Sequence, residues 1–562
     1  MLATRALRSE TLGRVAGFLG RRLRPSIPGL VVATAAFCAS LTPSLIPREP
    51  LFQGLISGVV AALGYELGNV LALIWRFLEL PHGRPKHDAA IRAVAYTGAA
   101  AAVTYCVFRA SDWQNAVRDV AGMAPVDTSH PLQLFSVSAA IMLTLWLLFR
   151  LFGLLFDRIK VALSRVMPPR VSFLFAMGTT VWFVWAVADG VLVNRLLQAA
   201  DGFFEAADEM ISPDLARPEN PLLSGSPDSL IAWRQMGRWG RAFVASRPSM
   251  QELRAFDPDA IEPIRIYIGR NSAETSQGRA DLALAELQRV GAFERSALLI
   301  ATPVGTGYMD HYAQDTLEFI RGGDIATVGV QYSYMTSALA LMVHPEYGLE
   351  QSQALFQTIY DYWVDLPEAD RPELYVFGLS QGAYNSQATM PVLDLLADPI
   401  SGGVWAGSPF LSPIWRTVRD DRVPASPAWR PVFGNSTLIR SMNQAGTGPL
   451  GDPPWGPMRF VFLQYGSDPI VNFTFTSAFR RPAWMAFPRA PDVAPEFRWF
   501  PLVTTLQLGL DMATSQQIEG FGHEYAAKDY ITAWVAVAAP PDWTEAQTRR
   551  LQAIFARRPP AY

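Results

Sequence analysis

Five apolar stretches within the first 200 residues, near 27–45, 52–75, 89–108, 132–155 and 171–193, are each long enough to cross a hydrocarbon core of about 30 Å as a helix. No other feature of the chain restricts its fold as much, because backbone in hydrocarbon must satisfy its own hydrogen bonds and a helix does so. An N-terminal helical bundle of about five spans, residues 1–199, is therefore expected. A cleaved leader is the competing reading of the first span, since Arg21, Arg22 and Arg24 precede it. Four further spans and the lack of a small-residue cleavage site near Cys38 set that reading aside.

Basic residues give an orientation. Six lie in the N-terminal tail (Arg5, Arg8, Arg14, Arg21, Arg22, Arg24), four in the second loop (Arg76, Arg84, Lys86, Arg92) and five in the fourth (Arg150, Arg158, Lys160, Arg165, Arg170). The alternate loops hold Arg48, then Arg109 and Arg118. The positive-inside bias makes the N-terminus cytoplasmic, and an odd number of spans delivers everything after about residue 195 to the other side of a plasma (inner) membrane. Both cysteines, Cys38 and Cys106, fall in the spans, which leaves the remainder thiol-free, as suits an oxidising space. Net charge is −3 with no long basic run, so a nucleic-acid binder is excluded. Within the spans, Glu66 and Asp189 read as carboxyls buried against a neighbouring helix or wetted near the surface, an ion or substrate path being the competing reading. Gly54, Gly58, Gly64 and Gly68 stand at the small-xxx-small spacing of closely packed helices.

Residues 200–260 form a polar, proline-containing connector with two short helices. From 261 to 562 short β-type runs alternate with helical stretches: strands at 264–268, 297–302, 325–331, 374–377, 402–406 and 459–465, with helices at 279–290, 312–320, 352–364 and from about 383. That alternation predicts a mostly parallel sheet covered on both faces. Two aromatic-rich insertions, near 408–457 and 473–500, interrupt it. As a set their aromatics favour an apolar substrate or a lid at the membrane interface, although ordinary core packing accounts for any single one equally well.

Gly378-Leu379-Ser380-Gln381-Gly382 is a weak motif taken alone, and its context strengthens it. It follows a strand and precedes a helix, where the turn is so sharp that glycines two residues either side of the serine avoid a clash. A serine hydroxyl needs a base within reach, and the chain has six histidines. His82, His87 and His130 fall in or beside the membrane part. His311 and His344 precede Ser380, against the order serine, acid, histidine. His523 remains, in a glycine-rich loop opening the last helix. The orienting acid is expected after a late strand. Asp468, in Gly466-Ser467-Asp468-Pro469, fits; Asp452 and Asp511 are the alternatives, and a turn-forming aspartate before proline is the competing role for Asp468. Oxyanion donors are expected from the N–H groups of Gln381 and of Thr306, in the loop Thr302-Pro303-Val304-Gly305-Thr306-Gly307. That loop lacks the following lysine of a phosphate-binding P-loop.

Through Ser224-Gly225-Ser226-Pro227, Thr302 to Gly307, Gly378 to Gly382, Tyr465-Gly466-Ser467-Asp468 and Gly522-His523, the chain resembles a bacterial family of membrane-embedded α/β-hydrolases with a multi-span N-terminal domain. The resemblance covers nearly the whole chain and implies a serine hydrolase at a membrane, with no single settled substrate. Together these readings predict ester or related acyl-bond hydrolysis in a lipid or other apolar substrate, by a Ser380–Asp468–His523 triad and an acyl-enzyme, without metal or cofactor. Acyl transfer by the same triad, and a non-catalytic transport or sensor role, are the alternatives.

Overall fold

Twenty-eight residues from Pro50 to Phe77 form one helix whose glycines face two different neighbours. The computed structural model describes residues 26–81, 88–187, 208, 210, 215–335, 345–446 and 453–558. His82, His87, Asp189, His344 and Asp452 lie outside them, as do the basic residues of the N-terminal tail. The chain divides into two compact units.

The first unit comprises residues 1–182, 477–480 and 494–510. Its helices are α1 (Ile27–Ser40), α2 (Pro50–Phe77), α3 (Asp88–Val120), α4 (Pro131–Leu163) and α5 (Pro169–Val187). Three described helices, Pro50–Phe77, Ala89–Val120 and Pro131–Leu163, are long and apolar enough to cross a membrane, and Ile27–Ser40 is apolar but shorter. The length and composition of these three support membrane association, against an expectation of about five spans. A Cβ on Gly54 or Gly58 would meet α4 at Val137 or at the Ser138 carbonyl, and one on Gly64 or Gly68 would meet α1 at Ala36 or at the Pro28 carbonyl. The spacing of glycines therefore lets α2 approach both helices closely. Several polar groups in this unit are paired internally: Gln53 Nε2 donates to the Ser40 carbonyl at 2.9 Å, and Ser40 and Ser57 hydroxyls are 2.8 Å apart. Glu66 accepts from Asn69 Nδ2 at 3.1 Å, one turn along the same helix.

The segment 494–510, which begins inside the second aromatic insertion, belongs to this unit. Gln507 Nε2 donates to the carbonyls of Ser40 and Thr42, each at 3.2 Å, and Val503 joins Ala39, Ile56 and Val60 in a buried cluster. Unit boundaries fall inside two helices, α5 after Trp182 and Val503–Thr514 after Leu510.

The second unit carries a seven-stranded sheet: β1 (Ile264–Ile268), β2 (Ala297–Thr302), β3 (Ile325–Val330), β4 (Glu373–Leu379), β5 (Gly402–Ala406), β6 (Ile439–Met442) and β7 (Arg459–Leu463). The order is β1-β3-β2-β4-β5-β7-β6 and every pairing is parallel. The strands are almost wholly buried, as expected of a parallel sheet covered on both faces by helices. β6 lies inside the first aromatic insertion, which sequence patterning treated as a loop. Four residues bounded by proline- and glycine-rich segments give too short a run for alternation to register.

Helices α6 (Gly237–Ala245) and α7 (Met250–Phe256) occupy the connector, and α8 (Ser276–Arg289), α9 (His311–Ile320) and α10 (Pro345–Asp365) follow β1, β2 and β3. After β4 come α11 (Gln381–Ala388) and α12 (Val392–Ala397), separated at Pro391 as its fixed φ and missing N–H require. Ser224 of the connector adds to the edge of β1: its N–H donates to the Arg265 carbonyl, and its hydroxyl accepts from the Tyr267 N–H at 2.9 Å. The helix after His523 is Ala527–Ala538 and a further helix, Glu545–Phe555, succeeds it, so His523 opens the penultimate helix.

Arg265 on β1 is fully buried. Its guanidinium donates to Glu318 (2.6 and 2.9 Å), to the Phe243 carbonyl (2.7 Å) and to Asp315, while Arg558 reaches the other Asp315 oxygen at 2.5 Å. A charge this deep is tolerated because every direction of the guanidinium has an acceptor.

Candidate active site

β4 is the central strand, so its C-terminal end opens at the middle of the sheet edge, where ligands bind in parallel α/β folds. Ser380 stands there between β4 and α11 with φ +54° and ψ −124°, a conformation a non-glycine residue rarely holds. Its N–H donates to the Ala406 carbonyl of β5 at 3.0 Å, and its own carbonyl receives the Tyr384 N–H at 3.1 Å. The flanking glycines have the reason sequence assigned them. A Cβ on Gly378 would lie 2.5 Å from the Ala383 nitrogen, and one on Gly382 would lie 2.2 Å from the Thr302 carbonyl oxygen. The latter contact packs the loop after β2 against the serine turn.

Asp468 caps the short helix Pro469–Asn472 after β7, its Oδ1 accepting from the N–H of Ile470 at 2.8 Å. Its other oxygen, Oδ2, lies 2.6 Å from His523 Nδ1, and both side chains are fully buried. The turn-forming role and the pairing with histidine therefore coexist, one on each carboxylate oxygen. Of the alternative acids, Asp511 is a helical residue of Val503–Thr514 and Asp452 lies outside the described residues. The imidazole rests on Gly407, whose Cβ would be 2.5 Å from His523 Cε1. Gly407 directly follows Ala406, the acceptor for Ser380 N–H, so serine and histidine share the same pair of strand ends. His523 Nε2 is buried without a hydrogen-bond partner, so a bond to the Ser380 hydroxyl is not formed in this structure. Such bonds often tighten only when substrate is bound.

The first N–H groups of α11, that of Gln381 among them, precede the first intrahelical bond and have no partner within the helix. Thr306 is held through its carbonyl, which accepts from Gln331 Nε2 at 3.1 Å, and Tyr267 Oη fixes the next carbonyl, that of Gly307, at 2.6 Å. With Gly307 at φ +88°, the loop has one backbone course set by two buried side chains.

Two residues of the site, Tyr525 and Asp492, are not singled out by the sequence, and Ser467 is named there only as part of the Asp468 motif. Tyr525 Oη donates to Asp468 Oδ2 at 2.8 Å, the oxygen that also faces His523. Burial pushes the Tyr525 phenol well above its ordinary range, and the Asp468 carboxylate beside it adds to this, which keeps the hydroxyl a donor. Ser467 and Asp492 tie the two loops together: Asp492 Oδ2 accepts from the N–H and the hydroxyl of Ser467, each at 2.8 Å, and Ser467 Oγ accepts from Gly522 N–H at 2.9 Å. The His523 N–H is anchored on the Ser515 carbonyl at 2.9 Å. By contrast His311 starts α9 beside the Arg265, Asp315 and Arg558 charges, and burial drives its imidazole down to about 4. Among the described residues no group of three or more histidine, cysteine, aspartate or glutamate side chains is placed to hold a metal ion.

A serine on a strained strand-to-helix turn, then a buried carboxylate, then an imidazole, in that chain order, form the set used for nucleophilic acyl transfer. Comparison with known proteins agrees with the architecture. Residues 264–551 match a family described as an alpha/beta-hydrolase family, and residues 41–248 match the N-terminal region described for such a family. No curated protein and no solved structure matches the chain.

Proposed function

Because the chain belongs to the α/β-hydrolase family, we propose that it is a membrane-anchored serine hydrolase that cleaves an ester or related acyl bond in a lipid or other apolar substrate. The observation that carries this reading is the buried 2.6 Å contact between Asp468 and His523 beside the strand ends that hold Ser380. In the proposed reaction, His523 Nε2 takes the proton of the Ser380 hydroxyl as Oγ attacks the acyl carbon. The N–H groups of Gln381 and Thr306 receive the oxyanion. His523 returns the proton to the leaving alcohol, and water then releases the acyl group by the same steps in reverse. Asp468 holds the imidazole in the tautomer with its proton on Nδ1 throughout. The basic-residue distribution supports a catalytic unit on the extracytoplasmic side of the plasma membrane, with the N-terminus cytoplasmic. The full chain, purified in detergent, is expected to turn over short p-nitrophenyl esters, and Ser380→Ala to reduce this to the background of buffer. Equal turnover by the variant would remove the proposal.

A further inference from the structure

Within the first unit, α1, α2 and the segment 500–506 enclose a cavity of about 490 Å³. Its helical walls run from Val32 to Ala39 and from Val60 to Leu67, about 10 Å along each helix axis. Small residues, Ala35, Ala36, Ala39 and Gly64, give it depth, and Leu63 and Leu67 stand exposed at its rim. The lining is almost wholly apolar. Its one polar side chain, Thr505, already shares a hydrogen bond with the Ser477 hydroxyl at 2.8 Å. Nothing inside could orient a headgroup or a polar ligand, and the volume is in the range of roughly 300–1,000 Å³ typical of small-molecule pockets.

The chain on either side of the cavity wall has a different character. Phe479, 80% exposed, and Arg480 follow the lining residue Ala478, while Arg498 and Trp499 precede the lining residue Phe500. Arg480 and Arg498 are exposed and have no ion-pair partner among the described residues, and each Cα lies within about 7 Å of that of a lining residue by chain length alone. Glu496 is the single acid in these two segments, 477–480 and 494–510. Aromatic side chains beside unpaired arginines, two residues along the chain from an apolar slot on a helix with the composition of a membrane span, match the sequence of zones in a bilayer leaflet.

We propose that this cavity is a binding site for an anionic phospholipid of the surrounding bilayer, one acyl chain filling the slot and the phosphate lying against Arg480 and Arg498. The proposal concerns the membrane unit alone and stands whether or not Ser380 is a nucleophile. A slot of about 490 Å³ is too narrow for a helix, which is about 10–12 Å across with its side chains, so the aliphatic chain rather than a helix of a second copy is the occupant, and the two arginines select the headgroup charge.

The test uses the full chain in nanodiscs containing phosphatidylglycerol whose acyl chain bears a mid-chain diazirine, with the cross-linked peptides mapped by mass spectrometry. Label is expected on 32–39, 60–67 and 500–506, displaced several-fold better by unlabelled phosphatidylglycerol than by phosphatidylcholine. Ala35→Trp and Leu67→Trp, both exposed lining positions that fill the slot without disturbing the core, are each expected to remove most of that label. Arg480→Gln with Arg498→Gln is expected to abolish the preference for the anionic lipid while leaving chain labelling in place. Label spread evenly over the lipid-facing helices, label unchanged in both tryptophan variants, or cross-links joining two copies through the slot would each overturn the proposal.

Discussion

The Tyr525 hydroxyl and the His523 ring converge on one oxygen of Asp468, at 2.8 and 2.6 Å. A carboxylate oxygen with two donors is fixed in direction, so the tyrosine positions the acid that in turn positions the imidazole. Tyr525→Phe keeps the ring that stacks on Tyr465 at 4.3 Å and removes only the donor. Ester turnover should fall roughly tenfold in kcat with KM little changed, the loss of one hydrogen bond to a charged group. A kcat equal to that of the parent chain would reduce Tyr525 to a packing residue.

Asp468→Asn should preserve the fold while reversing the hydrogen-bond sense that His523 requires. Turnover is expected to drop by roughly 10³–10⁴-fold, as when a triad histidine is held in the wrong tautomer. Steady-state kinetics with p-nitrophenyl acetate, beside a circular-dichroism spectrum matching the parent, gives the comparison.

Asp492 joins the Asp468 and His523 loops through Ser467. Asp492→Ala strands the buried Ser467 N–H and hydroxyl, at a cost of about 1–3 kcal/mol. The expected result is a lower melting temperature together with reduced turnover that Ser380-directed labelling reports as slower inactivation. Unchanged labelling would show the two loops to be held independently.

Arg265 sits between Asp315 and Glu318 in the core of the second unit. Arg265→Leu leaves the buried Glu318 carboxylate without its counter-charge and Asp315 with Arg558 alone, and is expected to destabilise the protein by about 3–5 kcal/mol. Chemical denaturation followed by tryptophan fluorescence measures this.

Two neighbours at the start of α9, its N-cap Asp310 and its first residue His311, set opposite pH dependences. Burial raises the Asp310 carboxyl to about 7, although Tyr530 Oη donates to it at 2.6 Å, and burial lowers His311 to about 4. A raised carboxyl binds a proton more readily in the folded chain, so its contribution is full below its unfolded value near 4 and is lost as pH rises to about 7. The depressed histidine contributes above about 6.5 and is lost as pH falls toward 4. The two oppose each other between these limits. Asp310→Asn removes the first, so its melting temperature should fall more steeply on acidification from pH 7 to 4 than that of the parent chain.

Much of the fold could be read from the chain because parallel strands buried on both faces are short continuous apolar runs between helices, as at Ala297–Thr302 and Ile325–Val330. The order Ser380, Asp468, His523 was likewise readable, since each follows a strand or opens a helix. Tyr525 and Asp492 were not. Their contacts reach residues 57 and 25 positions away, and no spacing rule connects them. Nor did the aromatic content of 473–500 reveal that the overlapping segment, 494–510, packs with the membrane helices. An aromatic loop has the same composition whether it covers a substrate or lies against a helix, and only the hydrogen bonds of Gln507 to the end of α1 separate the two.

The central claim is that Ser380 is a nucleophile activated by His523. A fluorophosphonate probe applied to the full chain in detergent, followed by peptide mapping, tests it most directly. The predicted result is a single phosphonylated residue, Ser380, with labelling lost in Ser380→Ala and strongly slowed in His523→Ala. Labelling of a different residue, or equal labelling of the parent and Ser380→Ala, would contradict the account.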